Sequence, residues 1–204
     1  MNKWASISIA SATILGLLAL AFFGASPANG SLAGPTVKIL VGQGNGSGVH
    51  IGNGHILTAA HVTKLAENNK VKVKTDNGQE VEAEVLWQST VYDVALLHTQ
   101  AGDKLSVSNL ACRAPDQGEG VSARGNPLGQ EFIVTWGRVA APVRTLGPWK
   151  DGVLVDISIG PGSSGGPLFD RAQRVVGLVV GMFTAQPGFA VVVPASTICA
   201  LLAR

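Results

Sequence analysis

The sequence predicts an all-β protein: two packed six-stranded antiparallel barrels followed by a short C-terminal helix. Three observations carry that expectation. From Gly34 onward, short apolar or alternating segments recur between Gly, Asn, Asp and Pro, and almost none sustains a helical period. About six such segments precede a polar connection at 105–117 and about six follow it, a division that suggests two small barrels. The chain has 204 residues, 46% hydrophobic and 14% charged, which is ample apolar surface for one domain built of two lobes.

The first barrel is expected over about 35–104, with strands at 36–41, 48–51, 55–58, 70–74, 80–87 and 93–98. Lys70, Lys72 and Lys74 alternate with Val71 and Val73, the pattern of a half-buried strand with one solvated face. Gly44-Asn45-Gly46-Ser47-Gly48 lacks the Lys-Ser/Thr ending of a phosphate-binding loop and precedes a short strand, so it reads as a hairpin turn. Asp76-Asn77-Gly78 reads the same way. A short helical turn is expected after Ala60.

The second barrel is expected over about 117–193, with strands at 120–124, 130–140, 153–158, 166–169, 175–182 and 189–193. The last segment, 194–204, reads as a helix that Ser196 or Thr197 can cap and whose apolar face is Ile198, Leu201 and Leu202.

Residues 1–30 stand apart. Lys3 precedes an apolar run from about Ile7 to Phe23, and Ala25, Ser26, Ala28 and Gly30 follow, the pattern of a secretory signal peptide cleaved after Ala28 or Gly30. The run is near the lower length limit for a membrane span, so an uncleaved anchor is the alternative. Either way the remainder is exported, to the periplasm or the extracellular side. The net charge of +2 offers no electrostatic case for nucleic acid. His50, His55 and His98 alternate onto strands or strand ends with no Cys, Asp or Glu cluster at a metal-ligand spacing, so surface or edge positions and no metal are expected.

Three residues carry chemistry together. Gly160-Pro161-Gly162-Ser163-Ser164-Gly165-Gly166-Pro167 is a small-residue turn between two apolar stretches that exposes a hydroxyl and approachable main-chain N–H groups. His61 ends an apolar strand in Leu57-Thr58-Ala59-Ala60-His61. Asp93 opens the buried Val94-Ala95-Leu96-Leu97. Singly, each suits a structural role: a flexible loop, a core histidine, a turn aspartate. In the order His, Asp, Ser on a two-barrel pattern they form one nucleophilic site.

Thr58-Ala59-Ala60-His61, Asp93-Val94-Ala95-Leu96-Leu97, Gly162-Ser163-Ser164-Gly165-Gly166-Pro167 and Pro187-Gly188-Phe189-Ala190 together resemble the chymotrypsin-like (trypsin-fold) serine endopeptidases. Gly125-Asn126-Pro127-Leu128-Gly129, and Gly188-Phe189-Ala190 followed by Pro194-Ala195-Ser196, are more similar to the bacterial HtrA/Deg protease domain than to digestive enzymes. The sequence reaches Arg204 without the PDZ domain many such relatives carry, so regulation by that module is not expected.

The resemblance implies that Ser164 is the nucleophile, His61 its base and Asp93 the acid that orients His61. It also implies an oxyanion hole made from the N–H groups of the nucleophile and of the residue two before it. For Ser164 that residue is Gly162; for Ser163 it would be Pro161, which has no N–H. Ser163 stands where digestive relatives carry an aspartate that pairs with a newly cut N-terminal amine, so activation by such a cut is not expected. Ser158, six residues before Ser164, would lie at the base of the primary specificity pocket beside Ile159. Val180, Gly181, Met182 and Gly188-Phe189-Ala190 would form its walls, favouring small to medium aliphatic residues.

Cys112 and Cys199 form a pair that exported chains usually oxidise, and similar folds bring the interdomain connection against the C-terminal helix; two free thiols are the alternative. Acyl transfer by serine needs no cofactor, and the partners implied are protein or peptide substrates. The competing functions are a catalytically silent peptide-binding module of the same fold and a membrane-anchored scaffold.

Overall fold

Twelve strands and two helices organise the residues that the computed structural model describes, 34–183 and 188–204; the expected signal peptide or anchor at 1–30 lies outside them. In chain order they are β1 (Thr36–Val41), β2 (Gly44–Gly52), β3 (His55–Thr58), α1 (Ala60–Thr63), β4 (Lys70–Lys74), β5 (Glu80–Ser89) and β6 (Val94–His98). There follow β7 (Gly120–Gly125), β8 (Ile133–Leu146), β9 (Trp149–Asp156), β10 (Pro167–Phe169), β11 (Val175–Met182), β12 (Phe189–Pro194) and α2 (Ala195–Leu202). They close two antiparallel barrels, ordered β1-β2-β3-β6-β5-β4 and β10-β11-β12-β9-β8-β7.

The lysine and valine alternation of β4 is resolved by its neighbours. Val71 and Val73 point into barrel one, while Lys70, Lys72 and Lys74 oppose Glu84, Glu82 and Glu80 across the β4–β5 ladder. Opposite charges facing one another favour this register over a slipped one, although exposed pairs contribute little to stability. One apolar cluster runs from barrel one, through Ile39, Ile56, Leu57 and Leu97, to Phe169, Leu178 and Ile198, so the cores of the two barrels meet. Val153, Val155, Leu168, Val176 and Val192 fill the rest of barrel two.

Four local expectations are corrected. Gly44-Asn45-Gly46-Ser47-Gly48 is not a turn. Its residues pair with β1 from Val41↔Gly44 to Val37↔Gly48, and the turn is Gly42-Gln43. The glycines serve close approach instead, since a Cβ on Gly46 would lie 2.6 Å from Val62 and one on Gly48 2.9 Å from the Leu57 carbonyl. β8 does not stop at Ala140, nor does β9 begin at Val153. The two continue as a hairpin to Leu146↔Trp149, with register shifts on either side of Pro142 that accommodate a residue without an N–H. α2 receives no side-chain cap from Ser196 or Thr197: Pro194 precedes it, the Ser196 N–H donates to the Arg113 carbonyl, and Thr197 Oγ1 donates to Asp151. Finally, His50 is 1% exposed rather than at the surface. Its Nδ1–H donates to the Ser106 carbonyl at 3.0 Å and its Nε2 accepts the Gly54 N–H at 3.2 Å, which satisfies both ring nitrogens in the neutral form.

The connection between the barrels is held at three points. Leu110 bridges to Val175 in parallel, Cys112 and Cys199 form a disulfide to α2, and Arg113 reaches Asp170 at the β10–β11 turn. There Asp170, 4% exposed, accepts bonds from the Arg174 N–H at 2.9 Å, the Arg174 guanidinium at 2.8 Å and Arg113 at 3.2 Å. Burial pushes the Asp170 carboxyl up, but these donors together outweigh it and hold the group below its usual range.

Such a carboxyl takes a proton more readily in the unfolded chain than in the folded one. Its contribution is therefore complete above the ordinary carboxylate pKa of about 3.9 and lost as pH falls through the lower folded value. Urea titrations of Asp170→Asn between pH 6 and pH 2 are expected to show a lower midpoint than the parent at pH 6 and a shallower acid decline. Parallel declines would refute the assignment.

Candidate active site

Asp93 locks the orientation of His61 through three contacts. Its Oδ2 accepts His61 Nδ1–H at 2.6 Å, its Oδ1 accepts the His61 backbone N–H at 2.8 Å, and its own carbonyl accepts the Ala60 N–H at 3.2 Å. The backbone of Asp93 sits at φ 56°, a left-handed conformation that aspartate tolerates better than most residues, and this turns the carboxylate back over α1. The small Ala59 and Ala60, both fully or almost fully buried, let the chain turn under it. With Nδ1 donating, Nε2 is the acceptor nitrogen. The Asp93 side chain is 17% exposed and that of His61 40%, so the acid is shielded while the imidazole faces the cleft.

Ser164 lies across the cleft on a turn stitched to both barrels. Its carbonyl accepts the Ser47 N–H at 2.8 Å, and the Gly165 N–H donates to the Val179 carbonyl at 2.7 Å. Gly165 is required at φ +82°, where any Cβ would strike Thr58 Oγ1 and the Ser47 carbonyl. His61, Asp93 and Ser164 line one cleft of about 460 Å³. Among the described residues no hydrogen bond joins His61 to Ser164, a contact that often tightens only when substrate is bound.

The orientation of the Pro161–Gly162 peptide is set from outside the turn. The Pro161 carbonyl accepts the Leu128 N–H at 2.7 Å, which directs the trans Gly162 N–H the opposite way; Gly162 itself takes φ +99°. Ser47 Oγ donates to the Gly162 carbonyl at 2.7 Å. Neither Gly162 N–H nor Ser164 N–H donates to another described residue. Ser163, 6% exposed, is turned inward, its Oγ accepting the Gly160 N–H at 3.3 Å.

Leu128 is held in place by barrel one. Asn126, 0% exposed, donates from Nδ2 to the Val37 carbonyl at 3.2 Å and to Ser47 Oγ at 3.0 Å, and its Oδ1 accepts the Phe132 N–H at 3.1 Å. Five residues on, Glu131 bonds Lys38 at 2.8 Å and Lys74 at 2.8 Å. The Lys38 ammonium and then that of Lys74 hold its carboxyl below the usual range. The segment 126–131 is thus a brace between barrel one and the turn that carries Ser164; Asn126 to Gly129 drew notice only for a family likeness, and Gln130 and Glu131 were expected to open a strand that begins instead at Ile133.

The residues expected around the specificity pocket divide. Ile159, Val180, Gly181 and Met182 line the cleft with His61, Asp93 and Ser164. Ser158 lines a small neighbouring cavity instead, with Arg124 and Thr135; Ile159 and Ser163 border both. Gly188, at φ +111°, places its carbonyl on the Ile157 N–H at 2.9 Å and does not border the cleft. Trp149 borders it and was not expected to; it lies in the part of the β8–β9 hairpin that local patterning missed. His55 and His98 oppose each other on β3 and β6 with their rings edge-on at 5.4 Å, and neither borders this cleft.

Comparison with known proteins agrees with this geometry. A family model described as a trypsin-like peptidase domain matches residues 46–178. A probable periplasmic serine endoprotease, DegP-like, from Pseudomonas fulva is 37% identical over 150 residues, covering 72% of this chain and 31% of the relative. The chain thus spans about a third of the length of the curated relatives it matches. Among solved structures, the HtrA-type protease AlgW bound to a tripeptide superposes with a TM-score of 0.77 at 27% identity, over 84% of this chain and 60% of that one. The active form of the Rv3671c protease from M. tuberculosis superposes with a TM-score of 0.75 at 25% identity, over 85% of this chain and 81% of that one. This chain belongs to the trypsin-like peptidase domain family, and within it the chain is similar to DegP-like and HtrA-type proteases.

Proposed function

We propose that the chain is an exported serine endopeptidase acting through Ser164, His61 and Asp93. The observation that carries this reading is the paired hold of Asp93 on His61, which leaves Nε2 toward a cleft shared with Ser164. Ser164 Oγ attacks the scissile carbonyl carbon while His61 Nε2 takes the hydroxyl proton. The N–H groups of Gly162 and Ser164 receive the oxyanion. His61 then passes the proton to the leaving amine as the C–N bond breaks, and water, activated by the same imidazole, hydrolyses the acyl-enzyme and restores Ser164.

Peptide and protein substrates follow from the family, and the periplasmic names of the relatives, together with the leader pattern at 1–30, support export to the periplasm. No new N-terminus is needed in this reading. Ser163 has no charge to pair with an amine, and the Leu128 N–H supplies the contact that orients Gly162. Asp93, the acid bordering the cleft, is engaged by His61, and the walls of Ile159, Val180 and Met182 offer no other for a basic side chain, so a small to medium aliphatic residue before the scissile bond is preferred.

The test is a fluorophosphonate adduct on the peptide containing Ser164, followed by cleavage-site mapping on a denatured protein. Cuts after Val, Ala and Leu are expected. A failure to label would remove the catalytic reading, and cuts after Arg or Asp would remove the pocket.

A further inference from the structure

We propose that Trp149 is a specificity-determining residue, its indole forming the surface for an aliphatic side chain at the second substrate residue before the scissile bond. This inference rests on the peptidase reading above.

The ring stands where another strand's side chain is missing. Gly181 borders the cleft and follows a β-bulge in β11, where the register with β12 shifts between Val179 and Gly181. A Cβ on Gly181 would collide with the Trp149 ring, meeting Cζ2, Cε2 at 2.8 Å and Cη2 at 2.9 Å. Trp149 therefore lies flush on the backbone of β11 and supplies from β9 the bulk that Gly181 lacks. Phe183 backs the indole edge-on at 6.5 Å. β12 pairs with β9 only over Val153–Asp156, so Trp149 belongs to the part of the hairpin that projects past the ladder. Its ring packs against the core cluster and also borders the cleft.

The β11 edge beside it is open. On the β10 side, the ladder ends where the Val179 N–H donates to the Gly166 carbonyl and its carbonyl accepts the Gly165 N–H. From Val180 to Met182, β11 is paired only with β12 on its other side. An extended peptide can add to such an edge, and its side chains then alternate between two faces. With its carbonyl at Ser164, the residue before the scissile bond enters the pocket beside Ile159 and Met182. The residue preceding that one points to the other face, bounded by His61 and the Trp149 indole. A flat apolar ring favours an aliphatic group there and leaves a carboxylate or ammonium without a partner.

Two internally quenched peptides, identical except for Leu or Gly at that second position, provide the test. The ratio of their kcat/KM values is independent of the fraction of active enzyme, so partial misfolding of a variant does not obscure it. The parent is expected to prefer Leu by about tenfold, Trp149→Ala to bring the ratio to near one, and Trp149→Phe to retain most of it. A parent that labels at Ser164 and cleaves both peptides equally, or a preference that persists in Trp149→Ala, overturns this inference alone. If Trp149→Ala is not recovered folded, Trp149→Leu is read in the same way. A parent that neither labels nor cleaves overturns the peptidase reading, and this inference with it.

Discussion

Replacing Ser164 by alanine is expected to lower kcat about a million-fold, to the residual rate that binding and the oxyanion donors support alone, and to abolish fluorophosphonate labelling. Ser163→Ala is expected to keep labelling. The two hydroxyls are adjacent in sequence but differ in surroundings. Ser163 is 6% exposed and turned onto the Gly160 N–H, whereas Ser164 borders the cleft with His61. Backbone chemistry points the same way: two residues before Ser164 stands Gly162, which has an N–H, while two before Ser163 stands Pro161, which has none. Loss of one oxyanion donor costs about 3 kcal/mol. Labelling retained in Ser164→Ala and lost in Ser163→Ala would reverse the assignment.

Asp93→Asn is expected to lower kcat about ten-thousand-fold while the fold is kept. The geometry of this aspartate explains why an isostere fails. Both carboxylate oxygens accept bonds, one from the His61 backbone N–H and the other from its Nδ1–H. An amide has only one acceptor. If its oxygen keeps the backbone N–H, its NH₂ faces Nδ1 and selects the tautomer protonated at Nε2, which cannot take the Ser164 proton. If it flips, the backbone N–H meets the NH₂ and α1 is pushed away. Unchanged circular dichroism and thermal midpoint with the rate lost would support this account. A loss of less than tenfold would refute it.

Much of the fold was legible because barrel strands write their burial into local alternation. The bounds of β1, β3, β4 and β11 follow from apolar periodicity alone, and the Asp76-Asn77-Gly78 turn from its residue types. Glycine and proline were the points of failure, because each marks a turn in some contexts and a close contact or bulge in others. Gly46 and Gly48 are strand residues whose reason is Val62 and the Leu57 carbonyl; both neighbours arrive from elsewhere in the chain. The strand expected to end at Ala140 runs on past Pro142, and its pairing with β9 absorbs the proline through register shifts. His50 read as an edge residue because nothing local announces that Ser106 and Gly54 will enclose it.

At the site the division is sharper. The sequence by itself determined which groups are available: a hydroxyl at 164, an imidazole at 61, a carboxylate at 93, an N–H at 162 and none at 161. Those are covalent properties of residue types and need no fold. Only the tertiary structure decided where they point. The Gly162 N–H is directed by a Leu128 N–H held by Asn126 and Glu131 against barrel one, and the cleft wall at Gly181 is completed by an indole from another hairpin. Hydrogen bonds and contacts between residues dozens of positions apart set these directions, and no local pattern of side chains encodes them.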